Sequence, residues 1–199
     1  MWYDTSQGTR YNYGTTEATA NAWEIYNYFR GLTTPWAVES IAALCGNAQL
    51  ESQMNPFIRA DTESGAFGLW QWITNKQTLI NWANGQGLRP TSGPAQVQYV
   101  EAERSGAVQD TQYLPRQEYS HVSFNDFAYN QENLTVQQLA RCWWTNYERS
   151  AAWQEDRATW AAGYYELFTG SPPPTGTVPP WLLFKWKERR RRVKCTIHI

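Results

Sequence analysis

The amino-acid sequence predicts a mainly α fold, and three observations support this prediction. Apolar residues recur at intervals of three and four in several segments, which is the spacing of one helix face. Helix-capping residues precede these segments, and turn residues follow them. Alternation of apolar and polar residues is too rare to indicate a large sheet, and no segment repeats at a fixed period. The 199 residues are enough for one domain with a buried core.

The predicted helices follow one another along the chain. Thr34 as a cap, with Pro35 in the first turn, predicts the start of the second helix. Thr135 and Gln138 form a capping box, which predicts the start of a later one. The predicted helices cover 17–29, 35–53, 75–83, 94–104, 136–147 and 151–168.

Proline content and charge divide the chain into unequal parts. Residues 171–199 are rich in proline and carry a formal charge of +6, whereas residues 1–170 carry −7, for a total of −1. We therefore predict a polar N-terminal segment at 1–15, a folded domain at 16–170, and a Pro-rich linker with a basic tail at 171–199. Nucleic-acid binding needs clustered Lys and Arg, so contact with a nucleic acid or a membrane surface is expected only through the tail, if at all.

The composition also excludes several classes of protein. The three cysteines, Cys45, Cys142 and Cys195, fit neither a disulfide framework nor a zinc site, and we expect the first two to be reduced core residues. Two histidines are too few for most zinc hydrolases, so no metal and no cofactor is expected. No apolar run approaches the roughly 20 residues of a membrane span, and the N-terminus lacks the pattern of a signal peptide. The 12 Trp and 12 Tyr suggest a surface on which a ligand stacks.

One carboxyl group lies where the helix pattern predicts a buried side chain. Ile41, Leu44 and Ala48 are three and four residues apart on the second helix, and the next step of three reaches Glu51. Burial and the negative end of the helix dipole both favour the protonated form of a carboxyl, and no Lys or Arg lies within one turn. A protonated carboxyl can act as a general acid. If the last turn is exposed instead, Glu51 is an ordinary solvated side chain.

Glu51 belongs to the first of three motifs, which together carry a family resemblance. The motifs are GNAQLESQMNP at 46–56, GLWQW at 68–72 and YER at 147–149. They resemble motifs of phage tail lysozyme domains, and the first two resemble the shared core of goose-type lysozymes and lytic transglycosylases. The resemblance covers about 16–170 and implies a lysozyme-like helical domain with a central cleft.

The resemblance implies a glycosidase of the lysozyme or muramidase type, which cleaves the glycan strand of bacterial peptidoglycan. Domains of this family lie on the virion, in the phage tail, and open the cell wall for delivery of the phage genome, which makes other tail proteins the implied partners. Two alternatives stay open: a lytic transglycosylase that leaves anhydro-sugar ends, and a non-catalytic structural or sugar-binding tail protein. The transglycosylase motif Ala-Tyr-Asn has a literal match at 128–130, but its position before the last helices favours coincidence.

The resemblance also assigns site residues. Glu51 matches the catalytic acid, and Gln71 and Trp72 match the segment that lines the sugar cleft, although core packing explains Trp72 equally well. A hydrolase with two carboxylates needs a second one across the bond. Asp61 and Glu63 are the acidic candidates in the connection that follows Glu51.

The third motif has two interpretations. The resemblance assigns Tyr147 and Glu148 to the cleft as substrate-binding residues. Alternatively, Tyr147 is a core residue and Glu148 forms an ion pair with Arg149. The chain departs from many members of the family at Gln53, where they have Gly, and at Ser150, where they often have Pro; neither departure removes a chemical group.

Overall fold

The computed structural model describes Trp2 and residues 15–58, 65–109, 112–149 and 152–170. Within these ranges the only β pairing is a single bridge between Phe67 and Trp72, and the predicted mainly α class is confirmed. A 3-10 turn (Gln117–Tyr119) precedes the fifth helix, and a π-helical turn (Trp144–Glu148) continues the sixth. The helices of these ranges are α1 (Thr15–Arg30), α2 (Val38–Ser52), α3 (Lys76–Gly85), α4 (Gly93–Ser105), α5 (Phe124–Tyr129), α6 (Val136–Trp143) and α7 (Asp156–Thr169).

Helix α2 is the centre of the packing. It contacts α1, α5, α6 and α7, and 10 of its 15 residues are buried, so it is covered on all sides rather than along one stripe. Such a helix needs small residues wherever a neighbour comes close. Its sequence supplies them as alanine, serine and glycine.

The closest approach is between α2 and α7, at Gly46. A Cβ atom at this position would lie 2.6 Å from the backbone nitrogen of Ala161 and 2.6 Å from the carbonyl oxygen of Arg157. Real Cβ atoms do not come this close to backbone, so only glycine permits the observed packing. The adjacent Asn47 donates from Nδ2 to the carbonyl oxygens of Ala43 and Ala140, at 3.0 Å each, which joins α2 to α6.

Helix α2 begins later than predicted. The expected start at Thr34 and Pro35 is wrong, because the backbone is still extended at Ala37 and helical hydrogen bonding begins at Val38. The reason is the burial of Trp36, whose indole nitrogen donates to Glu101 Oε2 at 2.9 Å. The extended segment carries this ring into the core, and the gain from burying it outweighs the local helix-start signal.

The other predicted boundaries have mixed outcomes. The capping box is confirmed, since Thr135 Oγ1 accepts from the backbone of Gln138 and Gln138 Oε1 accepts from the backbone of Thr135. The last helix begins at Asp156 rather than 151, and α5 was not predicted. Cys45 and Cys142 are buried and free, as expected, whereas Cys195 lies outside the described residues.

Many aromatic side chains belong to the core rather than to the stacking surface suggested by their number. The largest rings that are less than 2% exposed are Trp36, Trp70, Trp72, Trp143, Tyr99, Tyr147, Tyr164, Phe29 and Phe127. They contact one another mainly edge-to-face or at a tilt, and such pairs add about 0.5–1.5 kcal/mol each beyond the burial of their area.

We expect Gly46→Ala to reduce the free energy of unfolding by about 1–3 kcal/mol, because α2 and α7 would have to move apart. The matched control is Gly85→Ala at the end of α3, where a Cβ atom would meet nothing within 4 Å. Urea denaturation of both variants measures the difference. Equal stability of the two variants would show that the contact is not as tight as described.

Candidate active site

The end of α2 is joined to the segment that contains the second motif. The Ser52 hydroxyl lies 2.9 Å from the carbonyl oxygen of Leu69, so the residue next to Glu51 contacts the backbone of residues 68–72 directly. The indole nitrogen of Trp70 donates to the carbonyl oxygen of Leu44 at 3.1 Å. These contacts explain why the first two motifs occur together: one supplies the helix end and the other the segment that packs on it.

Gln96 of α4 holds this segment from the other side. Its Oε1 accepts from the backbone nitrogen of Leu69 at 2.9 Å, and its Nε2 donates to the carbonyl oxygen of Pro56 at 2.7 Å. Gly68 fits this position for two reasons: its φ is +77°, and a Cβ atom would lie 2.8 Å from Gln96 Oε1. Residue 96 received no role in the sequence analysis, because nothing in its local pattern marks it.

The carboxyl group of Glu51 lies in a cluster of three ionisable groups. Arg157, from the first turn of α7, donates from Nη2 to Glu51 Oε1 and from Nη1 to Glu148 Oε2. The same Nη1 donates to Asn47 Oδ1 at 3.0 Å. The side chains of Arg157 and Glu148 are each 3% exposed, whereas that of Glu51 is 21% exposed. Glu51 is therefore the member of the cluster that a ligand can reach.

Arg157 is the site residue that the sequence analysis missed. No Lys or Arg lies within one helical turn of Glu51, and Arg157 comes from a helix 106 residues further along the chain. The weak signal was Gly46 and Asn47 in the first motif, because a glycine inside a helix often marks the close approach of another element.

The π-helical turn brings Glu148 into the cluster. The backbone nitrogen of Arg149 donates to the carbonyl oxygen of Trp144 at 2.7 Å, which is a bond across five residues instead of four. Such a turn inserts one extra residue and changes the direction of the side chains that follow. Tyr147 points into the core, while Glu148 reaches Arg157. The partner of Glu148 is thus Arg157 and not the exposed Arg149, which corrects the alternative based on the adjacent residues.

The environment of Glu148 favours its protonated form. Burial raises the pKa of this carboxyl well above its usual range, the charge of Arg157 opposes the rise, and the charge of Glu51 and a hydrogen bond with it add to the rise. The Glu148 Oε1 atom is buried and no donor among the described residues bonds to it. The Glu148 side chain is 3% exposed, and its predicted contact with a sugar stays a prediction.

Trp72 and Tyr147 form a second, fully buried network. The indole nitrogen of Trp72 donates to the Tyr147 hydroxyl at 2.8 Å, and this hydroxyl donates to Glu103 Oε2 at 2.5 Å. The Tyr147 ring stacks on Trp143, with the ring centroids 3.9 Å apart. Neither Trp72 nor Tyr147 has an exposed ring face, so burial supports core packing for both and argues against direct contact with a sugar.

Of the remaining predicted site residues, the structure describes only Gln71. Gln71 is half-buried, and its Nε2 donates to the carbonyl oxygen of Gly68 at 2.9 Å; its contact with a sugar stays a prediction. Asp61 and Glu63, the candidates for the second carboxylate, lie outside the described residues. The central cleft likewise stays a prediction.

The backbone at Gln53 has a conformation that favours glycine. Gln53 follows the last turn of α2 with a φ of 52°, in the left-handed region that glycine adopts most easily. The next residue, Met54, also has a positive φ, at 65°. Glycine suits this conformation, and glutamine adopts it at a cost of about 1 kcal/mol.

The Ala-Tyr-Asn match at 128–130 lies at the other end of α2. The Ser40 hydroxyl donates to the carbonyl oxygen of Phe127 at 2.5 Å, which fixes α5 against the beginning of the helix. Ser40 and Glu51 are 11 residues apart on α2, or about 16 Å along its axis. This distance supports the interpretation of the match as a coincidence.

The described residues also bear on two other kinds of site. In this part of the chain, no group of three or more His, Cys, Asp or Glu side chains is arranged to hold a metal ion. Nor does any helix there combine the length and the apolar character that crossing a bilayer requires.

The fold and the cluster define a helical domain with a solvent-reachable carboxyl group at the end of its central helix. The family model described as phage tail lysozyme matches residues 20–168, which is most of the chain. The chain therefore belongs to the phage tail lysozyme family, and the resemblance inferred from the three motifs is confirmed. A comparison with curated proteins gives no match. The family implies a lytic enzyme that acts on peptidoglycan, and a location on the virion.

The buried Glu103 should make stability depend on pH. Burial raises the pKa of Glu103 from 4.5 to about 7, although hydrogen bonds from Tyr147 and the backbone of Gln112 partly oppose this. The folded state thus binds the proton more tightly than the unfolded state. The resulting stabilisation is complete below about pH 4.5 and is lost as the pH rises through about 7.

We expect Glu103→Gln, which imitates the protonated side chain, to remove this dependence. The wild-type free energy of unfolding should fall between about pH 4.5 and 8 by up to about 3 kcal/mol more than that of the variant. Chemical denaturation across this pH range measures it, with Glu132→Gln at an exposed position as the control. Parallel pH curves for wild type and Glu103→Gln would contradict the prediction.

Proposed function

We propose that this protein cleaves the glycan strand of peptidoglycan with Glu51 as the general acid. The observation that carries the proposal is the position of Glu51: of the three groups in the buried cluster, it alone is within reach of a ligand. Membership of the phage tail lysozyme family and the match of Glu51 to the family's catalytic acid support the assignment.

In the proposed reaction, the Glu51 carboxyl gives its proton to the glycosidic oxygen as the bond between this oxygen and the anomeric carbon breaks. The sugar ring then carries the positive charge, and Glu51 becomes a carboxylate. Arg157 already donates to this carboxyl, so it stabilises the negative charge that develops during proton transfer. A fixed donor of this kind favours the transition state, because it needs no rearrangement.

The fate of the positively charged sugar distinguishes two reactions. In hydrolysis, water attacks the anomeric carbon and a carboxylate accepts a proton from it; Asp61 or Glu63 is the proposed acceptor. In a lytic transglycosylase, the sugar's own hydroxyl attacks instead, and Glu51 can take back the proton. We favour hydrolysis, as in the enzymes named by the family description.

Membership of the family also supports a proposal for the biological role. We propose that the enzyme acts from the phage tail and opens the peptidoglycan layer locally for delivery of the phage genome, beside other tail proteins. Gln71 is the proposed contact for the hydroxyl or N-acetyl groups of the sugar. A non-catalytic, sugar-binding tail protein is the alternative, and loss of activity on mutation of Glu51 would exclude it.

We expect Glu51→Gln to lower the rate of glycan cleavage by about 10²-fold to 10⁴-fold, because the amide keeps the shape of the side chain but cannot donate the catalytic proton. Glu132→Gln, the same change at an exposed position, should leave the rate unchanged. Turbidity loss of purified peptidoglycan measures the rate, and circular dichroism checks the fold. A Glu51→Gln variant with a rate near that of the wild type would refute the assignment.

Mass spectrometry of the wild-type digest identifies the reaction. Reducing sugar ends indicate hydrolysis, whereas 1,6-anhydro ends indicate transglycosylation. The two products differ by one water molecule, so a single digest is enough to decide.

A further inference from the structure

The cluster around Arg157 contains one more carboxyl group than it has cations. Glu51 comes from α2, Glu148 from the π-helical turn, and Arg157 from α7. Both carboxyl groups bond to the guanidinium group of Arg157. With both carboxyls ionised, the cluster has a net charge of −1. With one proton added it is neutral, and burial strongly favours a neutral cluster.

The position of the two carboxyls on one guanidinium group also favours a shared proton. The carboxyl groups of Glu51 and Glu148 accept from the two terminal nitrogens of the same guanidinium group, so they lie side by side. Two carboxylates are both acceptors, so they can form a hydrogen bond only if one of them carries a proton. The buried Glu148 Oε1, which receives no other donor among the described residues, is the natural atom to carry it.

The charged groups that act on Glu148 from the neighbouring helices are Glu51 and Arg157. The adjacent Arg149 is exposed. Arg157 interacts with both carboxyls, so it does not select one of them as the ionised partner. Exposure separates them: Glu148 is dry and Glu51 is partly hydrated, which favours the proton on Glu148 when no ligand is bound.

We propose that Glu148 is a positioning residue for the general acid: it holds a proton in the resting site and passes it to Glu51 when a glycan covers the site. In this step the Glu148 O–H bond breaks, a Glu51 O–H bond forms, and the new Glu148 carboxylate remains paired with Arg157. The glycan shields Glu51 from water, and loss of hydration makes the charged form of Glu51 less favourable. The proposal rests on the proposed function, in which Glu51 is the acid.

A purely structural role for Glu148 would have different consequences. A buried ion pair that only holds α7 in place would change stability, or would lower activity equally at all pH values. A shared proton instead sets the pH at which Glu51 loses its acid form. The pH profile of the rate therefore separates the two roles.

The test uses Glu148→Gln in the full chain. The amide can still donate to Glu51, but it never carries a negative charge, so Arg157 then stabilises the Glu51 carboxylate alone. We expect the alkaline limb of the profile of kcat against pH to move down by at least about one unit, which is a tenfold loss of rate above the limb. The rates of variant and wild type should converge as the pH falls.

The matched control is Glu118→Gln, which removes a Glu–Arg ion pair that is exposed, between Glu118 and Arg141. Its alkaline limb should coincide with that of the wild type. A Glu148→Gln variant that folds normally and keeps the wild-type limb, or loses activity equally at all pH values, would overturn the proposal.

A second measurement does not depend on activity or on the variant's folding. NMR titration of the ¹³C-labelled Glu carboxyls in the wild-type protein should show the Glu51 and Glu148 signals changing together, over the same two steps. A Glu148 signal that stays that of a carboxylate, while Glu51 changes alone in a single step, would overturn the shared proton. Failure of Glu51→Gln to lose activity would instead overturn the proposed function, and the NMR result would stand separately.

Discussion

A buried guanidinium group is the constraint on which the candidate site depends. An unpaired cation in the interior costs several kcal/mol, so the position of Arg157 is stable only if acceptors meet it there. Glu51, Glu148 and Asn47 supply them from two different elements. The approach of α7 is in turn possible only because Gly46 has no side chain. Gly46, five residues before Glu51 on α2, therefore decides whether Glu51 and Arg157 meet.

The π-helical turn gives two consecutive residues separate tasks. Tyr147 enters the core, where it joins Trp72 to Glu103, and Glu148 enters the ionisable cluster. The segment of the second motif is thus held by Tyr147 through Trp72, and by Ser52 through the backbone of residue 69. Because the same turn supports both contacts, packing of the core and geometry of the site are coupled. A substitution at Tyr147 that shifts this turn would therefore also shift the Glu148 carboxyl.

Local patterns predicted the features whose causes are local. The spacing of apolar residues on α2 identified Glu51 as partly buried, and the capping box at Thr135 identified the start of α6. Arg157 could not be found in this way, because its partner lies 106 residues away and an Arg in a first helical turn is usually solvated. The π-helical turn shifts a hydrogen bond by one residue and leaves no signature in composition. At the start of α2, burial of Trp36 outweighed the helix-start signal of Thr34 and Pro35.

Pairing the proposed general acid with an arginine creates a conflict, which the proposed shared proton resolves. A guanidinium group stabilises a carboxylate, whereas a general acid must begin as a neutral carboxyl. A pair of Glu51 and Arg157 alone would be neutral only with Glu51 ionised, and an ionised Glu51 has no proton to give. Two carboxyls without the cation would be neutral only with two protons, and would leave no donor to stabilise the carboxylate after transfer. Two carboxyls with one guanidinium are neutral with a single proton, and the donor is already in place when that proton leaves. In the proposed mechanism, the cluster is therefore the smallest buried set that combines neutrality, a transferable proton and a stabilised product charge.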